Sequence, residues 1–311
     1  MEVSNIKSNK TEVALAGLDL SEMDDYVIQF SALLCKALSV RRIFFIHVDR
    51  DLDLPEDMLQ EYPGLIMPSE ESMRNDLNEK AKKYFEDNPD IEVNVIVEKG
   101  DAIEHILRHI KIENVDLIFM GRKRSLKGSG IVSSRLARKS PCSLLLVPEN
   151  PPAAIEKVMV PVDFSRYAGM ALSCANLIAS STGALVSCAN VYKVPTGYHT
   201  TGKSHEEFAE IMKGHARKDY GNFLRSMGEN EDIPCKFLLS DDGDYAKLLY
   251  KQAAIEKSSL IIVGSRGRTA AAVALIGSLA EKLTYLNFSI PLLIIKKKGE
   301  NMGFLQALLR V

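Results

Sequence analysis

The chain has 311 residues, 46% of them hydrophobic, and 39 Lys+Arg against 41 Asp+Glu, for a formal net charge of −2. That is apolar material for roughly two domain cores, and a near-neutral chain carries no overall field to attract nucleic acid. No stretch approaches the ~18 apolar residues of a membrane span, and the five cysteines (Cys35, Cys142, Cys174, Cys188, Cys235) form no CxxC, which disfavours a disulfide framework or a structural zinc site.

The opening segment MEVSNIKSNKTEV is polar and lacks the apolar centre of a secretory leader, so a cytoplasmic protein is expected, with neither membrane nor nucleic-acid partners. EVALAGLDLS (Glu12 to Ser21) reads as a short apolar strand ending in Asp19, followed by a serine suited to capping a helix. YVIQFSALLCKAL, from Tyr26, has helical apolar periodicity, and RRIFFIHV ends a second strand at Val48. A polar excursion then begins as a loop and ends as a helix. EVNVIV, a helix through AIEHILRHI, the strand DLIFMG ending at Gly121, a basic loop and the strand SLLLVP (Ser143 to Pro148) complete the first half. ENPPAA (Glu149 to Ala154) reads as a linker, and divides the chain into 1–150 and 151–311.

The second half repeats the first. KVMVPVDFS (Lys157 to Ser165) matches the opening strand, ALVSCANV ends at Val191, SLIIVG ends at Gly264, and PLLIIK (Pro291 to Lys296) closes the half. Val48 to Val191 and Gly121 to Gly264 are each 143 positions apart, and Asp19 to Asp163 is 144. A spacing kept to within one residue at three landmarks marks an internal duplication. The strands are continuous apolar runs, which predicts parallel strands buried on both faces. Two open parallel-sheet α/β sandwiches follow, Rossmann-like, in tandem, with helices on both faces.

The chemistry concentrates after the strand ending at Gly264: Gly264, two residues, Gly267, nine residues, then Gly277 and Ser278. Gly264 and Gly267 are expected to turn the backbone sharply and present N–H groups inward. Gly277 is expected to allow close approach at a helix start, where Ser278, with Leu279 behind it, would add a hydroxyl to the free N–H groups facing phosphate oxygens. Arg266 and Arg268 add positive charge. A purely structural turn is the alternative reading of the glycines. Asp163 ends the first strand of this half, where a carboxylate either takes a ribose or base donor or caps a helix. Pro161 shapes the same strand end, and Val191 either packs on a base or belongs to the core.

Together Pro161–Ser165, the Gly264/Gly267/Gly277/Ser278 pattern and the closing PLLII resemble the universal stress protein family in its tandem form, and the likeness covers nearly the whole chain. The resemblance implies a fold of the adenine nucleotide α-hydrolase-like kind. It further implies that ATP, or ADP or AMP, binds with Asp163 at the adenosine, Val191 beside it, and Gly264, Gly267, Gly277 and Ser278 around ribose and phosphates. It also implies that domains pair through their last strands, within one chain and then between chains as a homodimer. The first half departs from the pattern. Gly17 stands for the proline and Arg124 for the second glycine, Gly130 and Ile131 align with the last glycine and serine, and the loop is about four residues shorter. Crowding there is expected to weaken nucleotide binding, and Arg122, Lys123, Arg124 and Lys127 read as a solvated basic loop or a grip on another anion.

No catalytic set is evident. His47 reads as a satisfied crevice histidine. His105 and His109 have two-ligand helical spacing with no partner evident in the sequence, and His199, His205 and His215 are expected at the surface. Asp241, Asp242 and Asp244 either cap the next helix or hold Mg2+ against phosphates. The tail from Gly299 includes FLQALLRV, a short amphipathic helix candidate. The expectation is an adenine-nucleotide-binding stress-response or sensor protein with an unknown protein partner. A nucleotide-independent interaction module and a weak ATPase are the alternatives.

Overall fold

A computed structural model describes residues 11–49, 70–123, 130–229, 232–268, 275–286 and 289–299. The expected placements of residues 50–69, Arg124, Lys127, the stretch 269–274 and the tail beyond Gly299 lie outside these described residues. Ten strands alternate with eight α-helices among them. The first half runs β1 (Val13–Leu18), α1 (Met23–Leu38), β2 (Arg42–Asp49), α2 (Glu70–Phe85), β3 (Glu92–Lys99), α3 (Ala102–Ile112), β4 (Leu117–Arg122), α4 (Gly130–Lys139) and β5 (Ser143–Pro148). The second runs β6 (Lys157–Pro161), α5 (Arg166–Thr182), β7 (Leu185–Tyr192), α6 (His205–Met227), β8 (Cys235–Leu239), α7 (Tyr245–Ile255), β9 (Leu260–Gly264), α8 (Ser278–Tyr285) and β10 (Leu292–Ile295).

All strands join one sheet in the order β3-β2-β1-β4-β5-β10-β9-β6-β7-β8. Within each half the pairs are parallel, while β10 meets β5 antiparallel, with Leu293 opposite Leu145. The continuous apolar character of the strands is explained by two cores. Alternate residues of β1 go to opposite faces: Ala14 and Ala16 pack under α1, α2, α5 and α6, whereas Leu15 packs under α3, α4, α7 and α8. Pairing the two closing strands covers an edge in each half that would otherwise expose unpaired N–H and C=O groups.

Local signals set the helix starts. Ser165 caps α5, accepting from Ala168 N at 3.2 Å, Asp101 caps α3, and Ser204 with Glu207 forms a capping box on α6. Ser21 does not cap as expected. Its Oγ accepts from Met23 N and donates to Asp19, while Asp24 reaches back from the first turn of α1 to accept from Asp19 N (3.0 Å) and Leu20 N (2.9 Å). The strand starts are held alike in both halves. Asp116 accepts from the N–H groups of Glu12 and Val13, and Ser259 accepts from those of Glu156 and Lys157.

The halves are also tied by side chains. Lys296, after β10, is 3% exposed and donates to Arg138 O at 3.4 Å, in the last turn of α4, and to Ser140 O at 2.9 Å just after it. Arg138 in turn donates to Tyr285 Oη at 2.9 Å and contacts Glu281, both on α8.

Candidate functional site

The strand order reverses at β1 in the first half and at β6 in the second, so each half has a crevice at the carboxyl ends of its central strands. In the second half this crevice is a cavity of about 510 Å3, within the range of small-molecule sites. Pro161, Asp163, Val191, Gly264, Arg266, Gly267, Gly277, Ser278 and Leu279 all line it. They come from the ends of β6, β7 and β9 and the start of α8, so residues more than 100 positions apart meet because the parallel strands all end on one side.

Close approach, expected at Gly277, accounts for Gly264 and Gly267 as well. None of Gly264, Gly267 and Gly277 has a positive φ; each is required by close approach. A Cβ on Gly264 would lie 2.8 Å from the backbone carbon of Tyr167, and one on Gly267 would lie 2.7 Å from Asp163 Oδ2. At Gly277 it would crowd Ser265 O at 3.1 Å and Arg266 Cα at 3.2 Å. Asp163 is the centre of this packing. Its Oδ1 accepts from Ser165 N at 3.1 Å and its Oδ2 from Arg268 N at 2.8 Å, tying the end of β6 to the glycine segment. Gly277 is the N-cap of α8 and donates to Ser265 O at 2.7 Å; no side chain caps the helix. The N–H groups of its first turn therefore face the crevice end.

Several lining residues carry no motif and were not anticipated: Asn190, Tyr245, Leu249 and Ala168. Asn190 is buried and donates from Nδ2 to Val162 O at 2.8 Å. His47 does the matching task in the first half, its Nδ1 lying 3.1 Å from Leu18 O. The shared repeat position of these two polar residues was the available signal.

At the matching strand end of the first half, Asp19 has a side-chain partner. Lys123 Nζ lies 2.5 Å from Asp19 Oδ2, with the lysine side chain 11% exposed. The ammonium and the Ser21 hydroxyl hold the Asp19 carboxyl below its usual range against the opposing effect of burial. Asp24 is 1% exposed, and burial pushes its carboxyl up to about 6 despite its two N–H donors.

The three acidic residues Asp241, Asp242 and Asp244 do not line the cavity. Asp244 caps α7 through Lys247 N, so one of them takes the capping role, and Asp242 Oδ1 accepts from Asp244 N at 2.9 Å, holding the cap residue. Among the described residues no group of three His, Cys, Asp or Glu side chains is arranged to hold a metal ion. A carboxylate does meet His105 and His109, unlike the sequence expectation. Glu98 Oε1 lies 3.1 Å from His109 Nε2, and Oε2 contacts His105 Nδ1 and Arg108 Nη2. Arg108 supplies the positive charge there, which makes the cluster an ion-pair network. Its donors hold the Glu98 carboxyl below its usual range, against burial.

No helix among the described residues is long and apolar enough to cross a membrane. Known structures agree with the fold. A protein of unknown function from Pseudomonas aeruginosa PAO1 is 15% identical with a TM-score of 0.66, over 96% of this chain and 97% of that one. A chain from Pseudomonas aeruginosa UCBPP-PA14 is 15% identical with a TM-score of 0.67, over 99% and 100%. A universal stress protein from Archaeoglobus fulgidus is 19% identical with a TM-score of 0.57, over 92% and 99%. No curated protein matches the chain. The universal stress protein family profile matches residues 11–148 and again 154–296, so the chain belongs to that family and carries two of its domains in tandem.

Proposed function

We propose that the second half binds an adenine nucleotide, ATP with ADP or AMP as alternatives, and that the chain is a cytoplasmic stress-response or sensor protein. The observation that carries this reading is the meeting of all nine residues selected from the sequence on one cavity. Apolar Val191, Leu249 and Ile276 suit a base, and the start of α8 with Arg266 suits phosphates. Asp163 is the lone carboxylate among the described lining residues, and backbone N–H groups engage both of its oxygens. A carboxylate so engaged is a poor general base for water, so hydrolysis is at most slow. Mg2+, where bound, is carried by the phosphates, because Asp241, Asp242 and Asp244 stand off the cavity. The bound state passes to a partner protein, or to a second copy, through the segments around the crevice.

The test is to purify the chain without added nucleotide, denature it, and quantify the released small molecules by mass spectrometry. One adenine nucleotide per chain, lost in Gly277→Val, is the expected result. No released nucleotide and no heat with added ATP and Mg2+ would overturn the reading in favour of an interaction module.

A further inference from the structure

The floor of the second-half cavity is one row of the sheet. Pro161 of β6 stands opposite Ala189 of β7, and the β6–β9 register, with Met159 opposite Ile261, carries Val263 to its other side. All three line the cavity together with Leu249 of α7 and Ile276. The first half repeats this row with other side chains. Gly17 of β1 stands between Ile46 of β2 and Met120 of β4. Ile46, Ile106 and Met120 precede Ala189, Leu249 and Val263 by the same 143 positions that relate the landmarks of the two halves, and all six are buried in one core. Gly17 and Pro161 share that face, two residues on from Leu15 and Met159. A Cβ on Gly17 would lie 2.7 Å from Met120 Sδ, 3.0 Å from its Cε and 3.5 Å from Ile106 Cδ1. The Met120 thioether therefore takes the space in which a proline at 17 would place its ring, and glycine stands there because methionine needs the room.

We propose that this row decides which half admits a base-bearing ligand: Ala189 and Val263 leave the floor of the second crevice deep enough for a flat ring, and Ile46 and Met120 fill the matching space in the first. This rests on the nucleotide reading above for the identity of the ligand. It sets the ring against the apolar side of the cavity, beside Leu249 and Ile276, and away from the phosphate end at α8. Closure of the first half is then a property of its buried strands and not of its altered glycine segment, so that restoring the glycine pattern alone leaves it shut. Ala189→Ile and Val263→Met transfer the first-half side chains to the second half. They act by volume alone, because neither changes a charge or a hydrogen-bonding group, and a close-packed floor has no slack to take up the added atoms beneath a ring.

The experiment is a set of calorimetric titrations of the full-length chain, wild type and Ala189→Ile/Val263→Met, with ATP plus Mg2+, with adenosine, and with indole as a flat ring that lacks ribose and phosphate. The expected result is one ATP per wild-type chain, and weakening of all three probes by at least about tenfold in the variant, with an unchanged far-UV circular dichroism spectrum. If the folded variant binds ATP and adenosine within about twofold of wild type, the inference is overturned and the nucleotide reading survives. Two ATP per wild-type chain has the same meaning, because the first half is then open. If the wild type binds indole but neither ATP nor adenosine, the nucleotide reading falls; the inference stands where the variant loses indole and falls where the variant keeps it. If the wild type binds none of the three, both fail. Should the double variant not fold, Val263→Met alone, whose flexible side chain adapts to its surroundings, is expected to weaken adenosine at least about threefold, and an unchanged affinity overturns the inference.

Discussion

The two crevices are built on one backbone plan and have opposite interiors. In the second half Asp163 faces a cavity and is held by backbone donors from both sides. In the first half Asp19 is clasped by Lys123, and the turn beside it is satisfied by Asp24. The scaffold is kept in both: the strand-start clamps of Asp116 and Ser259 and the strand-end bonds of His47 and Asn190 use different residue types for the same backbone groups. The difference teaches that a duplicated fold survives by keeping its backbone hydrogen bonds satisfied, while the groups that face the crevice diverge.

The comparison can be broken most severely at the matching glycines near the ends of β4 and β9. A Cβ on Gly264 meets the backbone of Tyr167, whereas one on Gly121 meets the flexible Met23 side chain, 2.6 Å from its Cγ. Gly264→Ala is expected to cost about 3 kcal/mol and Gly121→Ala about 1 kcal/mol, measured by denaturant unfolding. Equal costs would mean that the two strand ends pack alike. Acid titration gives the next largest effect. The folded-state value for Asp24 is raised to about 6 from the ordinary 3.8, so its protonation stabilises the fold below pH 4, and that contribution is lost as pH rises through 6. It amounts to at most about 3 kcal/mol. Asp24→Asn should flatten the stability profile in that window.

A smaller effect is expected from the strand-end bonds. Asn190→Ala and His47→Ala each leave a carbonyl without its side-chain donor, at a cost of about 1–2 kcal/mol. Near-equal losses in thermal unfolding would sharpen the equivalence, and a loss in one alone would break it. The smallest effect concerns Glu98, whose partly exposed carboxyl is held below its ordinary 4.5. Its contribution is present above that value and lost as pH falls through the lower folded value, opposite in sign to that of Asp24. Glu98→Gln should remove this acid-side loss, read as a flatter midpoint-versus-pH curve below pH 4.5.

Most of the architecture is legible in the residues because continuous apolar runs such as IFFIHV and SLLLVP demand cover on both faces. The repeat spacing aligns the two halves without any knowledge of contacts. The glycine motif, Asp163 and Val191 were legible as a group because they sit at predicted strand ends, which parallel topology brings to one side. The role of Asp24 was not, since it depends on how the first turn of a helix folds back on the preceding strand end. Nor was the approach of Glu98 to His105. It follows the reversal at Gly100, where a φ of +134° and the lack of room for a Cβ, which would lie 2.7 Å from His105 Nε2, suit glycine. Close approach is legible at Gly277 but not at Gly264 and Gly267, because a sequence shows that a side chain is missing and not which neighbour needs the space.

The antiparallel pair of β5 and β10 has a consequence for synthesis. β5 ends at Pro148 and its partner begins only at Leu292, so nearly half of the chain must leave the ribosome before the first half can cover its edge. Until then Leu144, Leu145 and Leu146, paired with β4 on one side, present an unpaired strand edge on the other. A product ending before Leu292 would keep that edge permanently, and a second such copy is the nearest surface able to pair with it. Premature termination in the last few dozen codons should therefore yield associating species rather than a folded first half in isolation.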